Sequence, residues 1–119
     1  MTFPAIFAIL VGTSMVAQWT LSYSKKQIPE LQTEPIRIWF HIVAELITAL
    51  CLVTAGFGLL TGQPWAVALY LVGSGMLFYT AIVSPGYFAQ KGMWSWLVVF
   101  AALIVLGIGA VLTILSHNP

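Results

Sequence analysis

Four runs of mostly apolar residues, parted by three short polar connections, occupy nearly all of this 119-residue chain. A hydrocarbon core about 30 Å thick needs about 20 such residues per spanning helix, so each run is long enough to cross it. The pattern predicts an all-α membrane protein: an antiparallel bundle of four transmembrane helices at about 3–23, 36–60, 65–84 and 94–116. Residues 1–119 then form a single four-helix transmembrane domain, with no room for a second.

Composition agrees with this pattern and narrows the function classes. Hydrophobic residues make up 61% of the chain and charged residues 6%, against about 25% charged in soluble proteins. Four basic residues form no patch able to neutralise a nucleic-acid backbone, so nucleic acid is excluded as a partner. A single cysteine, Cys51, rules out an internal disulfide, a CxxC redox pair and a four-cysteine zinc site. The opening stretch has no basic residue before Lys25 and is too long for the apolar part of a signal peptide, so it is expected to be a retained first span.

The connections carry their own signals. In SKKQIPELQTEP, Thr33, Glu34 and Pro35 have the character of an N-cap, a first-turn acid and a first-turn proline for the second helix. TGQP is short, which makes the second and third helices neighbours. In SPGYFAQKG, Pro85 and Gly86 are expected to break the third helix, and Tyr87, Phe88, Trp94 and Trp96 form an interfacial aromatic belt. Lys25, Lys26, Arg37 and Lys91 all flank the first and third connections. By the positive-inside rule, connections 24–35 and 85–93 are expected in the cytoplasm and both termini outside, in a plasma or inner membrane.

Against this apolar background stands RIWFHIVAEL, residues 37–46. At about 100° per residue, Arg37, His41, Glu45 and Thr48 share one side of the second helix, while Trp39, Val43, Ile47, Leu50 and Phe57 lie opposite. Glu45 is nine residues beyond Ile36, roughly 13 Å along the axis at 1.5 Å per residue and so near the bilayer midplane. An acid at that depth costs about 2.5–3.5 kcal/mol to insert and needs a partner, a water path or a proton. Counting depth from the same membrane face brings Gln18 of the first helix and Tyr79 and Thr80 of the third to its level. The other half of the bundle is rich in small residues such as Ala55, Gly56, Gly58, Gly73 and Gly107, which let helices approach closely.

The expected site is therefore a cytoplasm-facing polar pocket of Glu45, His41, Arg37, Gln18, Thr48, Tyr79 and Thr80. Its leading use is to bind or carry a lipid-like or amphipathic small molecule, with Glu45 and His41 as a proton-sensitive anchor and membrane lipids as partners. The alternative is a structural or assembly subunit whose polar stripe fixes helix packing. An intramembrane enzyme or a metal site is the minority reading. No nucleophile motif or cofactor signature accompanies the stripe, so no cofactor is expected, and two ligands on one helix are too few for a metal. Four packed helices enclose no pore, so conduction would require a homo-oligomer.

Overall fold

The computed structural model describes residues 2–117. Among them there is no strand. The elements are α1 (Thr2–Ser24), α2 (Glu30–Thr33), α3 (Pro35–Leu60), α4 (Ala66–Val83), α5 (Pro85–Gln90) and α6 (Ser95–His117). Thr2–Ser24, Pro35–Leu60, Ala66–Gln90 and Ser95–His117 are long and apolar enough to cross a membrane. The four long helices start and stop within one residue of the expected limits.

Three helix ends close in the same way. After α3, the Gln63 amide donates to the Gly58 carbonyl at 2.9 Å and the Gly62 amide to Leu59 at 3.3 Å, with Gly62 at φ +71°. After α5, Met93 donates to Phe88 at 2.9 Å and Gly92 to Ala89 at 3.0 Å, with Gly92 at φ +74°. These are Schellman closures, in which a left-handed residue lets two otherwise orphaned carbonyls find donors. The end of α1 repeats the pattern, Gln27 to Ser22 at 2.9 Å and Lys26 to Tyr23 at 3.1 Å, but here the left-handed residue is Lys26 at φ +56°.

One local expectation is refined and another is corrected. α4 ends at Val83, ahead of Pro85 and Gly86 as expected, but the helical path continues through them. Ser84 keeps helical angles (φ −62°, ψ −34°) and Pro85 takes the first turn of α5, where a missing amide hydrogen leaves no orphan donor. The chain turns at Gly92 instead. At the start of α3 the cap position belongs to Glu34, not Thr33, and no side chain caps the helix there. The Glu34 carboxylate instead receives Arg37 Nη1 at 2.9 Å.

In the bundle α1 packs on α3, α3 on α4, α4 on α6, and α6 back on α1. The α1–α3 seam is close because two glycines stand in it. A Cβ on Gly12 would lie 2.6 Å from Val53 Cγ2 and 2.8 Å from the Ala49 carbonyl oxygen. On Gly56 it would lie 2.6 Å from Ile9 Cγ1 and 2.9 Å from the Ala5 carbonyl oxygen. Beside this seam lies a core of Phe7, Ala8, Leu52, Ala55, Tyr70, Leu77, Ala110 and Ile114. Tyr70 is wholly buried, and its hydroxyl donates to the Pro4 carbonyl at 2.8 Å, tying α4 to α1 across the ring. A buried hydroxyl without that acceptor would cost about 1–3 kcal/mol.

At the other end, the α1–α3 connection folds Ile28 onto Ile38 and Ile42, with Trp19 and Leu31 packed against them. Phe88 stacks on Trp96 with ring centroids 4.9 Å apart. Lys91 Nζ donates to the Tyr87 hydroxyl at 2.8 Å, which holds the Lys91 ammonium above the usual lysine range.

Candidate functional site

The polar groups of three helices converge at this second end. Trp19 sits on the face of α1 that runs Ala5, Ala8, Gly12, Met15, Trp19, a spacing of three and four that keeps one side toward the bundle. Small residues bring that face close to α3, so the indole reaches the side of α3 that carries Glu45. Glu45 follows Ile38 and Ile42 on that side and is followed by Thr48, Leu52 and Ala55, all buried. Thr80 lies near the end of α4, one helical turn before Ser84.

The Trp19 indole N–H donates to Glu45 Oε2. Thr80 Oγ1 donates to Glu45 Oε1 at 2.5 Å and lies 3.1 Å from Ser84 Oγ. A hydroxyl has one proton to give, so with Thr80 committed to Glu45, the Ser84 hydroxyl is the donor to Thr80. Hydrogen bonds thus run in one direction, Ser84 to Thr80 to Glu45, and the carboxyl group accepts at both oxygens. The Glu45 side chain is only 13% exposed, whereas that of His41, one turn earlier, is 43% exposed with Nε2 at 3.6 Å from Oε1. The imidazole also meets the Trp19 ring edge-on, with centroids 5.9 Å apart. The imidazole thus stands beside the carboxyl group, while His41 itself stays half-exposed.

Of the residues expected in the pocket, Glu45, His41 and Thr80 are brought together. Thr48 is buried on the same side of α3, but its hydroxyl donates to the Ala44 carbonyl at 2.9 Å rather than to Glu45. Gln18 is exposed and donates to Ser22 at 3.1 Å. Tyr79 is 72% exposed. The Arg37 side chain is 74% exposed and folds back on Glu34, away from Glu45. Trp19 and Ser84 complete the cluster and were not among the expected residues. The indole was legible in principle, because a partly buried Trp N–H needs an acceptor, and Trp19 continues the small-residue face of α1.

Among the described residues, no group of three or more His, Cys, Asp and Glu side chains gathers as metal ligands. Two grooves lie on the outer side of the α1–α3 seam. One, of about 750 Å³, runs from Thr13 to Leu21 along α1 and from Leu46 to Val53 along α3. The other, of about 220 Å³, is lined by Trp19, Tyr23, Ser24, Ile28 and Trp39 among others, and shares Thr20 and Leu46 with the first. Neither is lined by Glu45, His41 or Thr80, and Trp19, which donates to Glu45, lines the smaller one.

A family model described as Domain of unknown function (DUF8058) matches residues 1–119, so the chain belongs to that family. No curated protein and no solved structure matches it.

Proposed function

We propose that this member of the DUF8058 family is a multi-pass protein of a plasma or inner membrane. In this reading it is an antiparallel four-helix bundle that binds a lipid-like or amphipathic molecule and responds to protonation at Glu45 and His41. The antiparallel arrangement is supported by contact order: Gly12 meets Ala49 and Val53, while Ala5 and Ile9 meet Gly56. The longest dimension, 47 Å, is close to the roughly 40–45 Å of a bilayer with its headgroups. The Glu30 carboxylate adds slightly to the upward push on Lys91 that comes first from Tyr87, which supports a shared membrane face for the first and third connections. By the positive-inside rule that face is cytoplasmic.

The observation that carries the reading is the pairing of a nearly buried carboxyl group, gripped by α1 and α4, with a half-exposed imidazole 3.6 Å away. A proton arriving at His41 changes the charge beside the one group that ties three helices together. Trp19 then passes any shift at Glu45 to the smaller α1–α3 groove, which joins the larger one at Thr20 and Leu46, where an apolar chain has room. Reconstituted protein tests this directly. Glu45→Gln should reduce binding of a fluorescent amphiphile, or its proton-linked flux, and remove the pH dependence; an unchanged response from a folded variant would sink the idea.

A second reading, a structural or assembly subunit, draws on the fact that both Glu45 oxygens already have partners within the chain. It predicts that Glu45→Gln and His41→Ala act on thermal stability or on a complex while amphiphile binding is untouched.

A further inference from the structure

The two lysines that follow α1 lie next to the groove on its outer face. Among the described residues neither Lys25 nor Lys26 is ion-paired. Of the three acids, Glu34 is taken by Arg37, Glu45 lies inside the bundle, and Glu30 forms no ion pair with either lysine. Both lysines are exposed. Immediately before them, Tyr23 and Ser24 line the smaller groove, which shares Thr20 and Leu46 with the larger one. An almost wholly apolar groove thus reaches Ser24, and the next two residues of the chain carry exposed ammonium groups outside any ion pair.

Its length decides what fits. From Thr13 to Ser24 is eleven residues of α1, roughly 16 Å at 1.5 Å per residue. That is about half of a hydrocarbon core of about 30 Å, the depth of one leaflet. A partner helix crossing the membrane would need a seam twice as long. A single acyl chain needs this much and no more, and its headgroup then falls at the lysines. We propose that the α1–α3 groove binds one anionic phospholipid, its acyl chain along Val16, Ala17, Leu50 and Val53 and its phosphate at Lys25 and Lys26. The proposal rests on the membrane-embedded reading and deepens it: the occupant takes the same α1–α3 groove, and its headgroup is recognised by Lys25 and Lys26 rather than by Glu45 and His41. Each lysine near an anionic headgroup adds roughly fivefold to its retention.

Native mass spectrometry of the full chain released from micelles provides the test, with phosphatidylglycerol and phosphatidylcholine of identical acyl chains as probes. The wild type should retain one phosphatidylglycerol at least tenfold better than phosphatidylcholine. Lys25→Gln with Lys26→Gln should bring the two lipids to parity, and Ala17→Phe, which fills the groove from an exposed position, should lower retention of both. Inorganic phosphate should not displace the lipid. Equal retention of the two lipids by the wild type, or full retention by a folded Ala17→Phe, overturns the proposal. Alkaline carbonate extraction separates the two levels: a chain stripped from phosphatidylglycerol vesicles overturns the membrane reading itself, and a resistant chain without lipid preference overturns the groove site alone.

Discussion

The two ends of the bundle are held by different physics. Around Gly12, Gly56 and Tyr70, α1 and α3 approach until only hydrogen atoms fit between them, and backbone carbonyls of Ala5 and Ala49 stand where side chains would otherwise go. Around Glu45 the same two helices are spaced by an indole and a carboxyl group and joined to α4 through Thr80. The first end is specified by the absence of volume, the second by one acceptor. In the proposed bilayer setting, where lipid tails are as apolar as leucine, close packing and interhelical hydrogen bonds are the two available sources of cohesion. This chain separates them along its length.

The sharpest way to break that contrast is to add volume at the close end. Gly12→Leu places its Cβ against the Ala49 carbonyl, which belongs to helix backbone and cannot swing aside. It should lower stability by about 3 kcal/mol, the upper end for overpacking, read by denaturant titration in mixed micelles. The control is Gly75→Leu, whose Cβ meets nothing within 4 Å and which should be tolerated.

At the polar end the loss of an acceptor should matter more than a change in size. Glu45→Ala strands the Trp19 N–H and the Thr80 hydroxyl. Interhelical hydrogen bonds in membrane proteins average about 0.6 kcal/mol and reach about 1.7, so two of them predict a loss of about 1–3 kcal/mol. Glu45→Gln keeps one acceptor oxygen and should lose less. Equal losses for the two variants would mean that shape, not hydrogen bonding, governs this end as well. A smaller effect of opposite sign is expected at Lys26, the one closure with a non-glycine left-handed residue. Lys26→Gly should stabilise the chain by about 1 kcal/mol by removing that steric cost, visible as a raised unfolding midpoint.

Hydropathy alone located all four long helices, because an unbroken apolar run long enough to cross a membrane is legible without tertiary contacts. The short α2 and α5 were missed since neither has enough residues to show a period. Counting depth was equally effective along the axis: it brought α1, α3 and α4 groups to one level and picked out Thr80. It failed around the axis. Gln18 and Tyr79 stand one residue from Trp19 and Thr80, and one residue is a rotation of about 100°, enough to turn a side chain from the bundle to the outside. That rotation was recoverable on α1 from the spacing of Ala5, Ala8 and Gly12. On α4 the spacing of Gly73, Leu77, Thr80 and Ser84 marks the inward side in the same way, with Gly73 and Leu77 buried.

Arg37 is the smallest test and bears on how far the polar end extends. On a helical wheel it belongs with His41 and Glu45, yet Glu34, only three residues earlier, offers its carboxylate at 2.9 Å. A near acid in the same turn outcompetes a buried one two turns away, because reaching Glu45 would mean taking a guanidinium out of water. Arg37→Gln should therefore shift stability by no more than about 0.5 kcal/mol, as for an exposed pair, and should leave unchanged any pH dependence that Glu45→Gln removes. A larger loss, or a changed pH profile, would show that the charge of Arg37 is felt at Glu45 and that the polar end begins at the helix terminus rather than at His41.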